Sequence, residues 1–549
     1  MVKRAIIHVE NTEGVVDFAR YLSEAGWTIL TANKTEELLK AEKIPVIREQ
    51  ALVESNYHLN ETSSLMRQIL LTKYNKEEKF ISTDNDETNI YVICVNITPV
   101  MNVNITSSKY NQQILPSNFF ITSLLRNTFS NHENVLILTD PEDYKEAIIQ
   151  LKTDNISKEF RTYLAAKALN LISAFDAGLS ASILQGQQYN VQFMNYLMYP
   201  YKKNMALHEG SNSQQKSFLY KSPTESGALN GFLKLQGKEL THNIICDISF
   251  AWERISTLYA ILKNQYTVKS TNSDGYDFTT QFTPLTGTVF TIAVKFNTIV
   301  GAALSTNVLD SFSKAYEYDT YNIKDVVVAC SSVIDAAAAT EMVKGNFAAI
   351  VAPSFTMEAK QILSSNRNIR LVPSAKVATT NLDGRLVNGG LLLQTKDNSL
   401  FEHWHVRTKN RPSQFKTDEM AFGMLLLIGA HSYSAVLLKD NSLIGIGQGC
   451  TSTNRALTVT LQDARERVER KKTSGEAVNN ENPDLANPIG DVLICDSTIQ
   501  FDEPVKKLID SGITAIIQTG GTPADNEFIN YCDERGVVMV FTGMTHISF

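Results

Sequence analysis

A run of about 18 uninterrupted apolar residues, the length a membrane-spanning helix requires, occurs nowhere in this chain of 549 residues, so no such helix and no membrane partner is expected. Cysteine is sparse: Cys94, Cys246, Cys330, Cys450, Cys495 and Cys532 stand singly, with no C-x-x-C pair. That spacing indicates neither a zinc site nor a disulfide framework, and reduced thiols in a cytoplasmic location fit it best. The opening Met1-Val2-Lys3-Arg4 passes directly into Ala5-Ile6-Ile7-His8-Val9, too brief an apolar core for a signal peptide. A surplus of positive charge is also missing. The net charge of -7 offers no global attraction for a phosphate backbone, and no nucleic-acid partner is expected. The densest basic stretch, Arg465 to Lys472, interleaves acids and bases at helical spacing, the pattern of a solvated helix face.

What remains is an ordinary globular composition, 43% hydrophobic and 20% charged, in a chain too long for one core. Residues 5–9 read as a buried strand. Gly14 to Ala25 reads as a helix, with Val15, Phe18, Ala19 and Leu22 at i, i+3, i+4 and i+7 on one face, and Thr28 to Leu30 as a second strand. The alternation continues through Ile90–Val95 and Val135–Leu138, which implies a parallel sheet covered by helices. A long helix is predicted from Lys158 to about Leu171, and Gln187 to Ser217 reads as a linker. The reading places a first domain at residues 1–190 and two further α/β series at 191–375 and 376–549. Tyr266–Phe278 and Thr473–Pro488, rich in Ser, Asn, Thr and Gly, are predicted surface loops.

Three local motifs invite chemistry. Gly445-Ile446-Gly447-Gln448-Gly449 lacks the third glycine spacing and the downstream acid of a dinucleotide site, so a strand ending in a tight turn explains it. His403 and His405 share a strand face, yet the sequence supplies no third metal ligand, and an exposed polar face is expected. Gly520-Gly521 either presents backbone donors to an anion or only makes the turn.

The C-terminal segment, Gly512-Ile-Thr-Ala-Ile-Ile-Gln518 into Gly520-Gly521 and on to Val540-Phe541-Thr542-Gly543-Met544, resembles the bifunctional 5-aminoimidazole-4-carboxamide ribonucleotide (AICAR) formyltransferase and inosine monophosphate (IMP) cyclohydrolase family. Ordered fragments elsewhere are similar to it: Gly14–Arg20, Pro141-Glu142-Asp143-Tyr144, Gly237–Leu240 with Asn243 and Asp247-x4-Trp252, and Asp383-x-Arg385 with Gly389–Leu392 as its central strand. The resemblance implies a methylglyoxal-synthase-like parallel-sheet domain followed by two cytidine-deaminase-like α/β subdomains. It also implies a homodimer, a purine nucleotide ligand and, where formyl transfer is retained, 10-formyltetrahydrofolate.

The family's reactive motifs are largely replaced. Its Ser-Asp-Lys-Thr-Gly turn reads Glu10-Asn11-Thr12-Glu13-Gly14, and its Ser-Gly-Gly-Thr turn reads Ala32-Asn33-Lys34-Thr35. Its Lys-Thr-Leu-His has no counterpart between Tyr57 and Leu71, and a tyrosine has become Thr98, so cyclohydrolase activity is not expected. The Lys-His base pair reads Lys295-Phe296, and phenylalanine accepts no proton. Arg-Tyr-Gly reads Met198-Tyr199-Pro200, an asparagine is Ile244, and an arginine is Thr451 with Arg455 nearby. The carried-over candidates are Lys295 and a substitute imidazole, His431, for catalysis. Tyr199, Asn243, Asp383, Arg385, Arg455, Gly520 and Gly521 are the candidates for substrate binding, with no metal. Two readings follow: a scaffold with impaired or absent chemistry, or a formyltransferase rescued by Arg455 or His431.

Overall fold

Val15, Phe18, Ala19 and Leu22 line one side of the helix Val15–Glu24 and are completely buried, which pins that helix to the sheet beside Arg4–Val9. In this computed structural model, described for residues 3–49, 65–66, 68–70, 72, 89–97, 115–184, 194–222, 227, 229, 234–262, 266–271, 277–282, 285–317, 323–374, 382–473 and 490–548, the chain divides into two compact units. The first comprises residues 1–203 with 220–224. Its five strands run in the order Ile47–Arg48, Thr28–Thr31, Arg4–Val9, Ile90–Asn96 and Leu136–Leu138, every neighbouring pair parallel. Ile90–Asn96 is buried along its whole length, as a strand covered on both faces must be.

The helix foreseen from Lys158 to about Leu171 extends to Leu184. Beyond Leu171 the sequence is rich in Ala, Ser and Leu and no longer clearly amphipathic, so periodicity hides the continuation. Lys167 ties this helix down. Its Nζ donates to Asp140 at 2.8 Å and to Asp143 at 2.7 Å, on the turn read earlier from Pro141-Glu142-Asp143-Tyr144.

The second unit holds a 13-stranded mixed sheet. Its central run is Val289–Lys295, Thr298–Ser305, Ser442–Gly447, Ala435–Lys439, Val492–Cys495, Ala515–Gln518 and Val538–Phe541. Alternate residues of the strands serve different faces. Val327 and Ala329 join the core that contains Trp252 and Phe422 from the helices His242–Ile261 and Gln414–Leu427. Val326, Val328 and Cys330 join the opposite core with Phe312 and Phe347.

Two expectations are corrected here. Tyr266–Phe278 is no simple loop: Tyr266–Thr271 and Asp277–Phe282 pair antiparallel and finish one edge of the large sheet. Threonine, tyrosine, valine and phenylalanine favour strands, and polarity suits an edge, so composition concealed the element. Leu382–Val387 and Gly390–Thr395 form a separate, mostly exposed two-stranded hairpin rather than a central strand. The predicted loop at Thr473–Pro488 lies outside the described residues from 474 onward.

Candidate functional site

The register of the large sheet brings several loops to one end. Lys295 pairs with Thr298 across a hairpin, and Gln448 reaches the first residues of the second hairpin strand, donating to the Ile299 carbonyl at 3.2 Å and accepting from its amide at 3.4 Å. Ala435 lies opposite both Gly447 and Cys495, and Gln518 opposite Phe541. The segments that follow or precede these positions therefore lie along the same end of the sheet, spread over its successive strands: Lys295–Asn297, His431–Ser434, Gln448–Ser452, Asp496, Thr519–Gly521 and Thr542–Met544. It is the carboxyl end of the parallel strands Val492–Cys495, Ala515–Gln518 and Val538–Phe541, where open α/β sheets hold their ligands, and the amino end of the parallel strands Val326–Cys330, Phe347–Ala352 and Arg370–Pro373.

Lys295 closes its strand, and its Nζ donates to the Lys324 carbonyl at 3.0 Å. The turn beyond it is unusual, since Phe296 and Asn297 take φ of 53° and 55°, backbone that favours glycine or asparagine. Asp247, buried on the helix His242–Ile261, accepts from the Phe296 amide at 3.1 Å and from the Asn297 amide at 2.6 Å. Burial pushes the Asp247 carboxyl above its ordinary value, against the opposing pull of these two amides and of Lys295. Sequence reading noted Asp247 only as part of a motif. Its clamping role follows from a helix–hairpin contact 50 residues apart in the chain, which no local pattern reveals.

A second knot lies at the same sheet end. Asp496 follows a fully buried strand and accepts at Oδ2 from the Ser432 hydroxyl at 2.6 Å, the Ser434 amide at 2.8 Å and the Ser434 hydroxyl at 2.9 Å. Burial raises its pKa despite those donors and nearby His546. The segment 546–548 closes over this group: Ser432 donates its amide to the Ser548 carbonyl at 2.9 Å, and the His546 amide donates to the Asp496 carbonyl at 2.9 Å. The buried His546 ring faces Asp397 Oδ2 at 2.6 Å and the Leu400 carbonyl at 3.0 Å. Asp496 was not anticipated. Its place directly after an apolar strand, Val492-Leu493-Ile494-Cys495, was the available signal.

Of the sequence candidates, Lys295, His431, Arg455, Gly520 and Gly521 all belong to this end. His431 is exposed, its carbonyl held by the Gly449 amide at 2.7 Å. Arg455 is exposed in the first turn of the helix Thr453–Thr473, and its charge opposes the rise that burial imposes on the Cys450 thiol. A β-carbon on Gly520 would meet the Phe541 ring at 2.4 Å, and the amides of Gly521 and Thr522 donate to Asp525 Oδ2 at 2.8 and 3.1 Å. These donors are engaged within the turn itself. Asn243 stands one turn before Asp247 and donates to the Ser211 carbonyl at 3.2 Å. Asp383 and Arg385 sit on the exposed hairpin, where Asp383 accepts from Gln394 at 3.1 Å across its own two strands. Tyr199 belongs to the first unit and stacks on Tyr201 with centroids 5.7 Å apart. The rings of His403 and His405 are 6.4 Å apart, and among the described residues no three His, Cys, Asp or Glu side chains converge on a metal position.

In the first unit the turn after Arg4–Val9 exposes Glu10, Asn11 and Glu13. Asn96 Oδ1 takes the amides of Glu10 at 2.8 Å and Asn11 at 2.9 Å, and Thr35 takes the Val9 amide at 3.1 Å. Backbone donors of the kind that would face an anion are thus bound to side chains of the unit itself. Thr98 and most of Tyr57–Leu71 lie outside the described residues.

Comparison with known proteins accords with this architecture. Residues 129–463, more than half of the chain, match the family described as AICARFT/IMPCHase bienzyme. The bifunctional purine biosynthesis protein PurH of Clostridium acetobutylicum is 30% identical over 554 residues, covering 100% of both chains. PurH of Clostridium botulinum strain Kyoto is 28% identical, again over 100% of both. A solved structure titled "Crystal structure of ForH" matches 33% of this chain and 100% of its own at 20% identity, with a TM-score of 0.28 that is too low to bear on the fold. On the family match and the full-length relatives together, this chain belongs to the AICARFT/IMPCHase bienzyme family of purine biosynthesis.

Proposed function

We propose that the chain has lost IMP cyclohydrolase activity and has impaired or absent AICAR formyltransferase activity, and that it serves as a purine-nucleotide-binding or structural protein. One observation carries this reading: the position beside Lys295 holds a phenylalanine, so the exocyclic amine of an aminoimidazole would find no proton acceptor there. The Lys295 ammonium is meanwhile bonded to a backbone carbonyl. For the cyclohydrolase half, the support is Glu10 and Glu13 exposed on a turn where a phosphate needs cations. On this reading the first unit is methylglyoxal-synthase-like, and the remainder forms two cytidine-deaminase-like subdomains, with boundaries near residues 190 and 375.

The protein acts as a cytoplasmic homodimer in this proposal. The hairpin at 382–395 supports the dimer, because Leu386 is 84% and Leu392 62% exposed on a two-stranded sheet that is marginal when solvated alone. Free thiols at all six cysteines suit a reducing compartment, and burial pushes Cys94 and Cys330 up to about 12.

A second reading is favoured by His431 and Arg455, both exposed at the sheet end that carries Lys295. In it, His431 supplies the imidazole and 10-formyltetrahydrofolate remains the formyl donor. Purified protein with AICAR and 10-formyltetrahydrofolate, followed by folate absorbance, separates the two. The first reading expects no turnover. Turnover abolished by Lys295→Ala and by His431→Ala establishes the second. Calorimetric titration with AICAR and IMP tests the ligand, and absence of heat with both removes nucleotide binding and leaves a structural role.

A further inference from the structure

We propose that Phe296 is a binding residue: a rigid aromatic platform on which a planar heterocyclic base stacks at the end of the large sheet. The inference deepens the nucleotide-binding reading and rests on it.

The argument begins with a conformational cost. Phe296 and Asn297 form the two-residue turn between Lys295 and Thr298, both with positive φ, 53° and 55°. Such a turn favours Asn-Gly, and a bulky aromatic at its first position sets a β-carbon against the preceding backbone. Burial of the ring does not offset this cost, because Phe296 is 66% exposed. The compensation comes from beneath the turn. Asp247, only 5% exposed, commits both carboxylate oxygens to the two turn amides. A buried acid thus holds a strained turn in place, and what the turn displays is one aromatic ring. Strain retained by its surroundings points to a use for the side chain so presented.

The ring's surroundings select the kind of partner. Its neighbours along the turn are Lys295, Asn297 and Thr298, and Gln448 is tied to Ile299 beside them. A single aromatic among amide, hydroxyl and ammonium groups is a poor anchor for an apolar protein surface. It suits a flat, polar ring, whose face stacks while its edge finds hydrogen bonds. The substitution that removes a proton acceptor beside Lys295 thereby supplies a stacking face, and the base of the ligand becomes the part that the site selects.

The test compares IMP with ribose 5-phosphate, which carries the sugar phosphate without a base, by calorimetric titration of the full chain. Wild type should bind IMP more tightly than ribose 5-phosphate. Phe296→Gly should weaken IMP binding roughly ten- to hundredfold and leave ribose 5-phosphate unchanged, while Phe296→Trp should retain IMP binding. The melting temperature of Phe296→Gly should not fall, since glycine relieves the turn. Unchanged IMP affinity in Phe296→Gly overturns the proposal. So does a change confined to oligomeric mass, which would make the ring an assembly contact. If wild type binds no purine nucleotide, the parent reading fails first and takes this inference with it, an outcome distinct from failure of the variant alone.

Discussion

Replacing Asp247 with alanine is the sharpest perturbation of the sheet end. The carboxylate makes hydrogen bonds of 3.1 and 2.6 Å to two backbone amides, and each such bond to a charged group contributes about 1.5–3 kcal/mol. Against this gross gain stands the burial that raises the Asp247 pKa, so a net loss of about 2–4 kcal/mol is expected. The positive φ at Phe296 and Asn297 adds strain that the variant no longer restrains. The loss should therefore be local, appearing as hydrogen exchange at the Phe296 and Asn297 amides accelerated by roughly 30- to 1000-fold. The pH dependence has a definite sign. A carboxyl whose native pKa lies above its ordinary value near 3.8 binds its proton more tightly in the folded chain. Its stabilising contribution is full below that ordinary value and declines as pH rises through the raised one. The destabilisation by Asp247→Ala should accordingly be larger in acid than at pH 7. Unchanged exchange at the two amides would refute the clamp, whereas a destabilisation that shrinks on acidification would show that the two amides outweigh burial in setting the Asp247 pKa.

Other consequences are open to measurement. Asp496→Asn keeps an acceptor for Ser432 and Ser434 and removes a buried charge, so its urea midpoint at pH 7 should stay close to wild type, whereas Asp496→Leu orphans three donors and should cost about 3 kcal/mol. His546→Ala leaves the Leu400 carbonyl, on a fully buried residue, without its ring donor, and a loss of about 1–3 kcal/mol is expected from chemical denaturation. Lys167→Ala strands Asp140 and Asp143 together, and thermal unfolding of the first unit should register a loss of about 2 kcal/mol. Gly543→Ala should lower the melting temperature, because φ is 67° there and a β-carbon would lie 2.1 Å from His403 Cε1.

Much of the fold was legible because its strands are short apolar blocks and its first helices are amphipathic. The buried face of Val15–Glu24 was readable residue by residue, as were the strands around Ile90 and Val326. Polar edge strands such as Tyr266–Thr271 were not, since composition separates a hairpin edge from a loop poorly. The site divided along the same line. The family resemblance pointed to Lys295, His431, Arg455 and the glycine pair, which the sheet register places at one end. Asp247 and Asp496 act on partners 49–50 and 62–64 residues away in sequence, so their roles exist only once the sheet has formed.

The strand Trp404–Val406 pairs with Val268–Ser270 on one side and with Val540–Phe541 on the other. Both partners are more than 130 residues distant along the chain. Three residues thus join the hairpin edge to the rest of the ladder, and neither pairing gains stability until a very long loop has closed. Topology of that kind slows folding and leaves unpaired edges available to other chains. During synthesis this seam can be completed only after Phe541 has left the ribosome, which places it among the last pairings of the sheet to form.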